Sequence, residues 1–179
     1  PSAAGDTDGE WFELHNTTGA DLDVGGCTLA DLADDSHVID GPLVVPALGY
    51  LTLGISASTS INGGVPVDYE YAGINLRNSD SDQLVLTCTG EVDRVEWTLP
   101  GWPGDAGVAM SFDVTFAPDN DDPANWCDAS TQMANDDWGT PGEPNDACGG
   151  GTGTVELDDV VFTEIMQNPA AVLDDDGEW

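Results

Sequence analysis

The chain has 179 residues and a formal net charge of −33, with 26 Asp and 9 Glu set against two arginines, Arg77 and Arg94, and no lysine. Two arginines cannot make a basic patch, which strongly disfavours nucleic acid and anionic membranes as partners. A hydrophobic content of 40% belongs to a folded chain rather than an acidic disordered one, and the length predicts one domain with a core of its own. Such a domain repels itself at low ionic strength. Salt relieves the repulsion by shortening the Debye length to about 3 Å at 1 M, and divalent cations neutralise carboxylates directly. A saline or calcium-bearing medium is therefore expected.

In chain order, Asp6-Thr7-Asp8-Gly9-Glu10 alternates carboxylates around a glycine, and Asp6, Asp8 and Glu10 are candidate calcium ligands. The turn falls short of an EF-hand because the bidentate glutamate at loop position twelve is missing. Aspartate is also a common turn former, so a plain turn is the competing reading. Short β runs follow, separated by turn residues, with 22 Gly and 11 Pro in the chain. Strands are predicted at 11–15, 27–32, 50–53, 67–71, 83–88, 92–97 and 108–112. In the first, Trp11, Glu13 and His15 alternate with Phe12 and Leu14; in 83–88, Leu84 and Leu86 face away from Gln83, Val85 and Thr87. No apolar stripe of helical period runs for eleven residues. This spacing predicts an all-β antiparallel sandwich. Asn16-Thr17-Thr18 fits the glycosylation sequon, and His15 and His37 read as ordinary histidines.

The stretch 117–145 is irregular. It carries Trp126 and Trp138, expected over one edge of the sandwich, and a second acidic turn whose Asp119 and Asp121 are further candidate calcium ligands. Four cysteines, Cys27, Cys88, Cys127 and Cys148, lack any CxxC spacing, so disulfides are expected rather than zinc. Three connectivities are open. The preferred one pairs Cys127 with Cys148, closing a loop of about 20 residues worth roughly 3 kcal/mol, and Cys27 with Cys88. Disulfides point to an extracellular or cell-surface location. No apolar run reaches the ~18 residues of a membrane span, and no nucleophile or metal constellation marks an enzyme.

Residues 149–154, GGGTGT, read as a flexible linker. Beyond it, Val160, Val161, Phe162, Thr163, Glu164, Ile165 and Met166 form the most apolar strand of the chain. Period two sets Val160, Phe162 and Met166 against Val161, Thr163 and Ile165, and both faces are apolar enough to require burial on both sides. The last eleven residues, PAAVLDDDGEW, then repeat the first eleven, PSAAGDTDGEW, at seven positions when Pro1 is laid on Pro169. The offset of 168 residues is that of a domain-sized repeat rather than a solenoid. Asp174, Asp176 and Glu178 copy the candidate calcium ligands of the first turn.

The segments Phe162-Thr163-Glu164-Ile165-Met166, Asn168-Pro169, Asp8-Gly9-Glu10-Trp11, Trp11-Phe12-Glu13-Leu14-His15-Asn16, ADLDVGGCTLAD at 20–31 and GTPGEPN at 139–145 together resemble the lamin-tail domain. That family is the immunoglobulin-like module of nuclear lamins, found also in secreted bacterial proteins. The resemblance spans nearly the whole chain and implies an immunoglobulin-like antiparallel β-sandwich. It also implies that the first strand, expected ahead of Pro1, is displaced to Val160–Met166. Residues 1–148 are then a sandwich without its first strand, 149–154 the linker, and 155–179 the first strand and acidic turn of a next repeat.

An unfilled slot and a spare strand complement one another. Donation of Val160–Met166 beside Trp11, Phe12, Glu13 and Leu14 of another copy is β-strand addition. Burying four apolar side chains there is worth roughly 6–12 kcal/mol gross, against ordering costs of about 1–2 kcal/mol per residue. The eleven residues between Cys148 and Val160 reach at most about 40 Å, so the strand can equally fold back into its own sandwich. The expected function is a non-catalytic structural repeat, joined head to tail with copies of itself into an extracellular filament. The competing reading is a carbohydrate- or protein-binding module of a surface adhesin, marked by an exposed aromatic patch at Trp126 and Trp138. A weaker third is an accessory domain to a secreted hydrolase.

Overall fold

The computed structural model describes residues 6–31, 35–77, 81–114, 119–134, 136–148 and 160–166. The linker 149–154 and the repeated turn with Asp174, Asp176 and Glu178 lie outside the described residues. One helical turn, α1 (Asp6–Gly9), leads into twelve strands: β1 (Trp11–Asn16), β2 (Leu22–Asp23), β3 (Thr28–Ala30), β4 (Ser36–Val38), β5 (Val44–Val45), β6 (Tyr50–Gly54), β7 (Tyr69–Glu70), β8 (Ser81–Thr87), β9 (Glu91–Thr98), β10 (Met110–Phe112), β11 (Trp126–Asp128) and β12 (Val160–Met166). A 3₁₀ turn, Pro123–Asn125, is capped by the Asp122 side chain and runs into β11.

The strands form a sandwich-like all-β arrangement. One sheet has the order β11-β10-β12-β1-β6-β7, the other β4-β3-β8-β9, and β2 with β5 makes a small ribbon. All pairings are antiparallel except β6 with β7. Alternation decides which side chains enter the core. Phe12 and Leu14 of β1 and Leu51 and Leu53 of β6 face Leu29 of β3, Leu84 and Leu86 of β8, and Val95 and Trp97 of β9 in one apolar cluster. Burying this set is the main favourable term for the fold.

The predicted strands at 11–15, 50–53, 83–88 and 92–97 form with small changes of boundary. Those at 27–32, 67–71 and 108–112 shorten to β3, β7 and β10. The two disulfides are Cys27–Cys88 and Cys127–Cys148. Because Cys27 precedes β3, Cys88 follows β8, and these strands are neighbours, the first bridge ties adjacent strands within one sheet rather than crossing the core. The second ties β11 to the end of the segment covering the outer face of the larger sheet.

In β12 the structure departs from simple alternation. Leu14 opposes Phe162 while the adjacent Glu13 opposes Glu164, so Thr163 is an extra residue, a β-bulge. Phe162 and Ile165, three apart, therefore both enter the main core, whereas Met166 packs on the opposite face with Trp11, Val65, Ala109 and Ala129.

Candidate functional site: the slot of the C-terminal strand

The strand β12 occupies a slot between β1 and β10. It pairs with β1 from Trp11↔Met166 to Asn16↔Val160 and with β10 through Met110↔Ile165 and Ser111↔Glu164. β1 and β10 do not bond one another, so within this sheet β12 alone joins β11-β10 to β1-β6-β7. Phe162, Thr163, Glu164, Ile165 and Met166 are all fully buried. Phe162 meets Phe12 edge to face, ring centroids 5.5 Å apart. The segment expected to donate and the segment expected to accept are thus in register, here within a single chain.

The outer face of the slot is polar. Cross-strand register runs a row through Cys127, Ser111, Glu164, Glu13 and Thr52, one residue from each of β11, β10, β12, β1 and β6. Glu13 and Glu164 sit directly opposite each other with no accessible surface. Both glutamates are held by backbone of 139–145, the GTPGEPN segment. Thr140 N donates to Glu164 Oε1 and Oε2 at 2.9 and 3.0 Å, and Gly142 N donates to Glu13 Oε2 at 2.6 Å. Thr163 Oγ1, on the bulge, donates to Glu13 Oε1 at 3.0 Å. Asn145 Nδ2 donates to Phe112 O at 3.0 Å and also to Thr163 O, bridging β10 and β12. Gly139 passes so close that a Cβ there would lie 3.1 Å from Glu164 Oε1 and 3.1 Å from Trp11 Cζ2.

A further carboxylate reaches β12 from the other sheet. Asp93 of β9 accepts from Phe162 N at 2.8 Å and from Asn120 Nδ2 at 3.0 Å. Burial, only partly offset by these donors, pushes its carboxyl up to about 7. Burial likewise pushes Glu13 up to about 8. Glu164 is raised well above the usual carboxyl range by burial first and by the Glu13 charge second.

The other sequence candidates scatter. Glu10 is buried and accepts from Leu76 N at 3.1 Å. Asp8 and Asp119 are exposed, as is Asp121, whose carboxyl is raised by partial burial and by Asp119. Among the described residues no three His, Cys, Asp or Glu side chains gather as metal ligands. The Asn16 side chain is buried and donates to Ala20 O and Val45 O, at 2.7 and 3.0 Å, so the sequon is a structural corner. His15 stacks on Tyr50, while His37 bonds Tyr69 Oη at 2.9 Å. Trp126 is buried between Trp102 and Phe112 and donates to Asn120 O, whereas Trp138 is 36% exposed. The two tryptophans therefore do not make a joint exposed platform.

Sequence reasoning missed Glu13 and Glu164 as a pair, and missed Asp93. The available signal was a lone glutamate inside each of two otherwise apolar strand segments. No family model, curated protein or solved structure matches this chain. No helix among the described residues is long and apolar enough to cross a membrane.

Proposed function

We propose that this chain is a non-catalytic structural module of lamin-tail, immunoglobulin-like type. Copies join head to tail into an extracellular or cell-surface filament, β12 of one copy filling the β1–β10 slot of the next. The observation that carries this reading is the position of β12: the last described strand in sequence is an interior strand of the larger sheet, and its Phe162 and Ile165 are part of the core. A sandwich split at that slot exposes two unpaired strand edges, which template pairing with any strand of matching pattern.

The repeat in the sequence adds a second partner. Met166 pairs with Trp11, and Trp179 is the repeat of Trp11, thirteen residues beyond Met166. In a repeating chain Val160–Met166 thus has two equivalent β1 partners, one upstream and one downstream. A contact of this kind is heterologous and propagates instead of closing. The two disulfides are compatible with an oxidising, extracellular setting. The charge of −33 suits a saline or calcium-bearing medium.

The test uses the observed register. His15 opposes Val161, so a copy carrying only His15→Cys is mixed with a copy carrying only Val161→Cys, then unfolded, refolded and oxidised. Strand donation yields a covalent heterodimer on a denaturing gel, absent when either copy is treated alone. A mixture that remains monomeric at high protein concentration, with filaments absent by electron microscopy, refutes the proposal.

A further inference from the structure

Glu13 and Glu164 face each other across the β1–β12 seam, and among the described residues the titratable side chains placed around them are acids, a phenol and one histidine. Asp68, whose carboxylate accepts from Thr52 N, lies on the β6 side. Glu143 and Asp146 belong to the covering segment, and Tyr50 lies beside Glu13 on β6. Burial pushes the imidazole of His15, on β1, below its usual range. From the opposite sheet, Asp93 accepts from the β12 backbone. The two arginines are engaged elsewhere in sequence and space: Arg94 pairs with Glu91 at 2.8 Å and donates to Gln83, and Arg77 is exposed. Ser111 Oγ, next to Glu164 in the cross-strand row, is buried without a hydrogen-bond partner.

Two adjacent carboxylates shielded from water cannot both remain ionised without a compensating cation; at least one of them holds a proton. The donors Thr140 N, Gly142 N and Thr163 Oγ1 are neutral. They stabilise one negative charge on the pair well and two poorly.

We propose that seating of β12 in its slot is coupled to protonation of the Glu13–Glu164 pair, so that the strand locks in place in acidic to neutral solution and is loosened as the pair ionises in alkaline solution. The proton comes from solvent as the strand enters and returns to it as the strand leaves. The two glutamates are positioning residues of a strand lock. The coupling holds whichever copy supplies the strand, because the same two side chains meet in either case.

Linkage sets the sign. Both glutamates ionise near 4 in the open state and far higher when seated. Between those values the seated state holds a proton that the open state has released, so seating weakens as pH rises, by up to tenfold per pH unit for each proton held. Asp93, with its carboxyl at about 7, contributes in the same direction, and a variant must separate it from the pair.

Two measurements on the full chain decide the matter, both in 1 M NaCl with a chelator present, to screen surface charge and remove divalent cations. In carbon-13 spectra of carboxyl-labelled glutamate, the resonances of Glu13 and Glu164 should remain in the protonated position at pH 6, and in Glu164→Gln one of the two is lost while that of Glu13, raised first by its own burial, stays. In denaturant melts, Glu164→Gln should gain stability relative to the parent as pH rises from 5 to 9, reaching at least a tenfold difference in the folding constant, while the exposed Glu143→Gln stays level with the parent. Glu13→Gln is the second variant should Glu164→Gln fail to fold. Ionisation of all nine glutamates below pH 6, or a variant difference independent of pH, overturns the proposal. Recovery at pH 9 on adding calcium, with no pH dependence in the chelator, also overturns it and assigns the neutralising role to a cation. None of these readouts depends on filament formation, so failure of the head-to-tail assembly leaves this test intact.

Discussion

At the scale of single residues, the C-terminal strand is held by polar groups as much as by apolar ones. Asn145 supplies one amide to two carbonyls, Phe112 O of β10 and Thr163 O of β12. Asn145→Ala removes both bonds and should cost about 1–3 kcal/mol, read as a lower denaturant midpoint with an unchanged slope. Gly139 is required by contact rather than by backbone dihedral. A methyl there meets Glu164 Oε1 and the Trp11 indole, and Gly139→Ala should destabilise by roughly 1–3 kcal/mol. Asp93 carries its own pH signature. Its carboxyl titrates near 4 when unfolded and at about 7 when folded. The stability it governs is therefore highest in acid and falls as pH rises between those values. Asp93→Asn should flatten that part of the profile; an unchanged slope between pH 4 and 7 would remove Asp93 from the account.

At the scale of elements, β12 behaves as core despite its distance along the chain. Phe162 touches Phe12 and is fully buried, so Phe162→Ala should cost about 3–5 kcal/mol through the cavity left behind. Val92 on β9 is 40% exposed, and Val92→Ala should stay within about 0.5 kcal/mol. If the two substitutions cost the same in thermal melts, β12 is not part of the cooperative sandwich. The Cys127–Cys148 bridge closes a 21-residue separation. Replacing both by serine should cost about 3 kcal/mol on the chain-entropy model, measured against the parent under non-reducing conditions.

At the scale of the whole molecule, charge and topology pull on the same strand. A net charge of −33 destabilises any compact state through self-repulsion, and salt screens it. Raising NaCl from low salt to about 1 M should therefore lift the melting temperature, by several degrees on calorimetry; an indifferent melting temperature would mean that the carboxylates are too dispersed to matter. The larger sheet depends on a strand joined to the rest through the far end of the chain. Exchange between copies would then replace one seated strand by an equivalent one, with little net change in buried surface, so concentration and the connecting segment would set the outcome.

The all-β class, the alternation in β1 and β8, and the presence of disulfides were legible in the amino-acid sequence, which left three connectivities of the four cysteines open. These rest on local periodicity and on cysteine spacing. The strands β2, β4, β5 and β11 were not, being two or three residues long and too short to show a period. Nor was the bulge at Thr163, since period two is interrupted there by the need to bring Phe162 and Ile165 onto one face. The Glu13–Glu164 pair was invisible among 35 carboxylates. Its contact with β12 through Thr163 spans 150 positions, and nothing local distinguishes a carboxylate that will be buried from one that will face water. Sequence by itself determined an acidic β protein with four cysteines suited to disulfides and an apolar strand at 160–166. Only the tertiary structure decided which carboxylates lie beside that strand and lose their water, because desolvation is set by neighbours brought together in space and not by the residues on either side.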